Sequence, residues 1–134
     1  MYTKTITLNN GIKIPQLGLG TWFIDDDKVA EAVKAAVDLG YRHIAAEHKT
    51  YESAAKSIDE TLEKMGLDYL DMMIIHSPQP WVEVNQSENR YVEGNRQAWR
   101  ALEDAYKAGK LKAIGVSNFQ IEDIESLLEV AEIK

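Results

Sequence analysis

The feature that most constrains this chain is the apolar run Met72-Met73-Ile74-Ile75, which leads directly into His76-Ser77-Pro78. Four consecutive apolar residues bounded by turn signals read as a strand buried on both faces, as in a parallel sheet. Ser-Pro then forces the backbone to turn, so His76 stands at the C-terminal end of that strand. In α/β barrels this rim carries the active-site groups. Imidazole is the usual acid–base group near neutral pH. A hydrogen-bonded histidine of purely structural use fits the same position, and the residues alone leave both readings open.

The chain has 134 residues, a single domain's worth, and a formal net charge of −7 with no basic run, which argues against a nucleic-acid surface. It contains no cysteine. Disulfides, cysteine-ligated zinc and thiol catalysis are therefore excluded. No stretch approaches a membrane span, and Met1-Tyr2-Thr3-Lys4 has no signal-peptide character, so a cytoplasmic location is expected.

Around the organising strand, strand and helix patterns alternate. Residues 5–8 and 12–14 alternate apolar and polar about Asn10-Gly11, which predicts a tight N-terminal hairpin ended by Pro15. Residues 16–22 form a short strand whose Gly18 and Gly20 permit close approach of a ligand or a neighbouring strand. The Gly18-x-Gly20 pair lacks the third glycine and the immediate helix of a dinucleotide fingerprint. Asp25, Asp26 and Asp27 supply N-terminal carboxylates for a helix over 27–39, stopped by Gly40. A very short strand, 41–44, runs into residues 45–49, which read as a helix approach. A second helix covers 50–65, with Tyr51, Ala55, Ile58, Leu62 and Met65 as its buried stripe and Gly66 as its stop.

After the organising strand, residues 77–93 form a long connection containing two prolines, Trp81 and Tyr91. Loops of this length are usually functional or disordered. Its aromatics suit either a binding role or packing over a barrel mouth. A third helix over 95–108 turns Trp99, Leu102 and Tyr106 inward. A strand over 112–118 ends in Ser117-Asn118. The last helix, 121–131, uses Ile124, Leu127, Leu128 and Ala131. Strands alternating with helices imply a parallel sheet with right-handed crossovers. Thr21, His76, Ser117 and Asn118 would then share one rim. His43, Glu47 and His48 lack the same-face spacing of a helical zinc pair, and solvated polar residues are the favoured reading, so no metal site is expected.

Four motifs together resemble the aldo-keto reductases, most closely the bacterial 2,5-diketogluconate reductase type. They are Leu17-Gly18-Leu19-Gly20-Thr21-Trp22, Leu39-Gly40-Tyr41-Arg42-His43-Ile44, Leu67-Asp68-Tyr69-Leu70-Asp71 with Ile74-Ile75-His76-Ser77-Pro78, and Ala113-Ile114-Gly115-Val116-Ser117-Asn118-Phe119. The resemblance implies an α/β barrel that reduces aldehydes and ketones with NADPH. It assigns His76 to orienting the carbonyl and Ser117 and Asn118 to holding the nicotinamide amide. Gly20 and Thr21 fall beside the cofactor, and Trp22 and Trp81 on the substrate pocket.

The departures from that family are as informative. Where the family strand continues into Asp-Thr-Ala and then a catalytic tyrosine, this chain has Ala45-Ala46. Tyr51 belongs to the following helix, and nothing around Lys49 matches the strand that carries the family's catalytic lysine. About one strand–helix unit, on the order of thirty residues, is missing internally. With the sequence ending at Lys134, the second half of the barrel is expected to be absent as well. The expected fold is therefore α/β, a partial TIM barrel: a (βα)4 half-barrel-like parallel sheet preceded by an N-terminal β-hairpin, one domain over 1–134. Without the aspartate, tyrosine and lysine, little or no reductase activity on a small carbonyl substrate is expected. The alternatives are a non-catalytic scaffold that self-associates, a homodimer completing the barrel, a doubly wound monomer, or a chain lacking segments of an active enzyme.

Overall fold

The computed structural model describes residues 4–16, 28, 31–32, 35, 43–46 (backbone only) and 49–134. Its N-terminal element is a hairpin of β1 (Thr5–Thr7) and β2 (Lys13–Pro15), paired antiparallel with Ile6 opposite Ile14. The connection is a three-residue loop, Asn9-Asn10-Gly11, closed by the Leu8 N–H donating to the Ile12 carbonyl at 2.8 Å. Only Gly11 needs a positive φ, +82°, and the Asn10 side chain accepts from the Ile12 N–H. The loop is thus one residue longer than a two-residue Asn-Gly turn, because glycine sits at the bulge position that three-residue hairpins favour. Pro15 is the last residue of β2 and pairs opposite Thr5 in a ribbon that is two-stranded among the described residues, so its missing N–H breaks no inner ladder there.

Among the described residues, the main sheet has three parallel strands in the order β3 (His43–Ala46), β4 (Met72–Ile75) and β5 (Ile114–Val116). Ala45 and Ala46 lie within β3, facing Ile74 and Ile75, so the expected helix approach is corrected to strand. Local alanine propensity loses here to a continuous parallel ladder with β4. The expected first strand, 16–22, lies outside the described residues apart from Gln16. Most of the helix over 27–39 does too, although Lys28, Glu31, Ala32 and Ala35 have helical backbone.

Helix α1 (Tyr51–Met65) is capped by Thr50, whose hydroxyl accepts from the Ser53 N–H at 3.1 Å, and is closed by Gly66 at φ 62°. Helix α2 (Val92–Lys107) starts three residues before the expected Asn95. Helix α3 (Ile121–Leu128) ends three residues before the expected Ala131 and carries a capping box between Gln120 and Asp123. One core joins them. Ala54, Ile58 and Leu62 of α1 meet Ala98, Trp99, Leu102 and Ala105 of α2 over Met73 and Ile75 of β4. Fully burying each of the large side chains contributes about 1.5–3 kcal/mol.

β4 is not buried on both faces. Met73 and Ile75 are buried beneath the helices, while Met72 and Ile74 are half-buried on the opposite face. The architecture is a partial barrel whose helices cover one face of the sheet and whose inner face is less enclosed. Two expectations for α3 also change, since Ile124 and Leu128 are exposed while Leu127 and Ala131 carry the packing. No described helix is long and apolar enough to cross a membrane.

Candidate active site

Period-2 alternation along β4 places His76 on the same face as Met72 and Ile74, away from the helices. The register pairs Ile74 with Gly115 and Ile75 with Val116. Continued by one residue, it brings Ser117 opposite His76 at the C-terminal rim. The Ser117 N–H donates to the Ile75 carbonyl at 2.9 Å, which anchors that end of the ladder. Gly115 keeps the inner face shallow: a Cβ there would stand 3.3 Å from Cγ2 of Ile74.

Asn118 adopts the left-handed conformation, φ 59°. Asparagine tolerates that region better than most residues. The turn directs its Nδ2 to the His76 carbonyl at 2.8 Å and to the Ser117 hydroxyl at 3.2 Å. Three of the expected site residues, His76, Ser117 and Asn118, are therefore brought together. Trp81 joins them, with its indole stacked on the His76 imidazole, 5.0 Å between centroids and 8° from parallel. Gly20, Thr21 and Trp22 lie outside the described residues, as do Glu47 and His48 of the rejected metal cluster.

The connection 77–93 is ordered, and the sequence reading missed what orders it. Gln79 is fully buried. Its Nε2 donates to the carbonyls of Ser87 and Asn89 at 2.7 and 2.6 Å, and its Oε1 accepts from the Asn85 N–H and from Arg90. Asn95, also buried, donates to the Pro78 and Arg90 carbonyls. Lys49 donates from Nζ to the Ser77 carbonyl at 2.6 Å and to Asn95 Oδ1 at 3.1 Å. Arg90 pairs with Asp123 at the start of α3, and this contact raises the guanidinium pKa. The one available signal was Gln79 lying between two prolines, a polar side chain in a segment too constrained to turn freely.

Two tyrosines near this region have their hydroxyl protons engaged by carboxylates. The Tyr51 hydroxyl donates to Asp104 at 3.0 Å and the Tyr91 hydroxyl to Glu83 at 2.6 Å, and each hydrogen bond raises its phenol pKa above 10.0. The Ser117 hydroxyl and the Asn118 side-chain amide thus stand together beside the His76 carbonyl at this rim.

His76, Ser117 and Asn118 thus gather at the C-terminal rim of parallel strands, the end at which α/β barrels carry their active sites. A model of the Aldo/keto reductase family matches residues 45–134, and the chain belongs to that family. It is similar to the glyoxal reductase of Bacillus subtilis, 35% identical over 163 residues, covering 97% of this chain and 55% of the relative. It is also similar to the NADPH-dependent alpha-keto amide reductase of Saccharomyces cerevisiae, 35% identical, covering 99% of this chain and 55% of the relative. Among solved structures, an aldo/keto reductase from Brucella melitensis superposes with a TM-score of 0.72 at 31% identity, covering 98% of this chain and 60% of that one. The chain spans about half the length of the curated relatives it matches. The glyoxal reductase alignment, at 163 positions, is longer than the whole 134-residue chain. That relative therefore has positions with no counterpart here, in keeping with an internal gap of about one strand–helix unit, roughly thirty residues.

Proposed function

We propose that this chain keeps the carbonyl-orienting and nicotinamide-facing end of an NADPH-dependent aldehyde and ketone reductase but lacks the group that donates the proton, so that alone it has little or no reductase activity. Reduction requires a hydride delivered to the carbonyl carbon and a proton delivered to its oxygen. His76 is the polariser, and Ser117 and Asn118 are the residues for the cofactor's carboxamide. The observation that carries the reading is the direct pairing of β3 with β4 through Ala45 and Ala46. Alanines occupy the strand end where the family resemblance expects an aspartate leading to the tyrosine. The tyrosines held by Asp104 and Glu83 offer no substitute, since both already donate their hydroxyl protons to those carboxylates. Each positioned acid–base group usually contributes about 10²–10⁴-fold, so losing the donor and its tuner removes several orders of magnitude in rate.

The test is to incubate the purified chain with NADPH and a simple aldehyde and follow nicotinamide absorbance. No turnover above buffer is expected. Turnover that disappears in His76→Ala would overturn the reading.

A second reading, self-association of two copies, is favoured by a specific pair of observations. Ile121, Ile124 and Leu128 form one exposed apolar face of α3, and β5 is hydrogen-bonded along only one side among the described residues. A second copy packed on that face would remove the apolar exposure, and one paired along β5 would close the open edge. Sedimentation velocity decides it, because a stable monomer at tens of micromolar would eliminate the dimer.

A further inference from the structure

The connection after β4 does more than cross the barrel mouth. Its 3-10 turn, Trp81–Glu83, is enclosed between two anchored ends. At the near end, the Ser77 hydroxyl donates to the Gln79 carbonyl. At the far end, the Gln79 side chain holds Asn85, Ser87, Asn89 and Arg90, spending both donors and its acceptor on one loop. Within the loop, the Glu83 carbonyl accepts from the Gln86 and Ser87 N–H groups, and the Glu83 carboxylate accepts from Tyr91. Trp81 projects from this frame onto His76. The same frame reaches the other side of the histidine, since Asn85 Nδ2 donates to the Asn118 carbonyl at 3.4 Å while Asn118 holds the His76 carbonyl.

We propose that Gln79 is a positioning residue that sets the plane of the His76 imidazole by holding Trp81 against its face. An N–H donor of the ring lies in the ring plane, and a carbonyl oxygen accepts well only when approached near that direction. A stacked indole covers one face and leaves the ring edge exposed, so fixing Trp81 fixes the direction in which His76 offers its N–H. A fully buried glutamine with every polar atom engaged is a rigid part, because releasing its bonds would leave its own buried amide oxygen and nitrogen unsatisfied. The inference rests on His76 as the carbonyl-orienting group, and it assigns the aim of that group to a residue two positions beyond Ser77.

The test needs no turnover. In the proton NMR spectrum of the full chain, the His76 ring protons, identified by their loss in His76→Gln, are expected upfield of those of an unstructured histidine, with Overhauser contacts to the Trp81 indole. Trp81→Ala abolishes the shift. Gln79→Met, which keeps the volume and removes the hydrogen bonds, returns the His76 protons towards unstructured values while the dispersed α1 and α2 amides remain. Should Gln79→Met unfold, the wild-type chain still decides. The Gln79 side-chain amide protons are expected to persist in D2O well beyond those of exposed Gln86, and rapid exchange would overturn the positioning role. An unshifted His76 in the wild type, or a shift retained in a folded Gln79→Met variant, would also overturn it. Those results leave the proposed function standing, whereas turnover that His76→Ala abolishes would overturn that function and leave this inference intact.

Discussion

Gly94 lies so close to Lys49 that a Cβ on it would stand 2.8 Å from the Lys49 carbonyl oxygen and 3.2 Å from the Lys49 Cβ. The first turn of α2 thus docks directly on the backbone that leaves β3. This contact brings Asn95 within reach of the Lys49 ammonium and the Pro78 carbonyl. Gly94→Ala should therefore destabilise the fold, although alanine favours helices. The obstacle is backbone, and overpacking of this kind costs about 1–3 kcal/mol. Urea unfolding followed by circular dichroism measures it, and a midpoint that stays put or rises would show that α2 can back away.

The Arg90–Asp123 pair predicts an asymmetry. The Asp123 side chain is 1% exposed and that of Arg90 19%. In Arg90→Met the Asp123 carboxylate keeps the Gln120 N–H but loses its counter-charge inside the protein. Breaking such a pair from the exposed side costs about 3–5 kcal/mol. Asp123→Asn should cost less, because the stranded guanidinium can still reach water and still donate to Gln79. Equal unfolding midpoints for the two variants would contradict that account.

Alkaline pH should weaken the fold through its tyrosines. The Tyr91 phenol donates to Glu83 and the Tyr51 phenol to Asp104, and both pKa values are raised above 10.0. Between the unfolded and folded values the native state holds more protons than the unfolded chain, so stability falls as pH rises. The contribution is fully present below pH 10 and is lost as pH climbs through the raised folded value. Thermal melts from pH 8 to 11 should show this decline, and the double variant Tyr51→Phe, Tyr91→Phe should flatten it. Lys107, raised by its hydrogen bond to Glu132, adds a decline of the same sign above 10.5, so the flattening will be incomplete.

What was legible in the sequence is what period and punctuation encode. The apolar run into His76, the helix from Thr50 to Gly66, and the strand ending Ser117-Asn118 all follow from hydrophobic spacing with a cap or a glycine. Tertiary outcomes were hidden. Ala45 and Ala46 carry no strand signal of their own, and they become strand because β4 offers a ladder. Gln79 and Asn95 look like surface residues until the loop folds round them. Glu103 reads as a helix surface charge, yet it is buried, accepting from the Trp99 indole at 2.9 Å and from the Glu132 and Ile133 N–H groups. Residues hydrogen-bonded to distant backbone leave no periodic trace.

Leu127 and Leu128 are adjacent, chemically identical and oppositely placed, at 5% and 41% exposure. Hydrophobic pattern alone sends both inward, and the structure separates them because α3 touches the core through Leu127, with Ala131 packing there just beyond the helix end. Leu127→Ala should cost about 2–5 kcal/mol, as expected for truncating a buried leucine. Leu128→Ala should stay within about 0.5 kcal/mol, the usual range for a surface change. Chemical denaturation at low protein concentration separates these cases. If Leu128→Ala costs as much as Leu127→Ala, and the loss grows with protein concentration, the α3 face is covered in solution by another copy. Concentration-independent midpoints, with only Leu127 sensitive, would assign the whole packing role of α3 to its inward line.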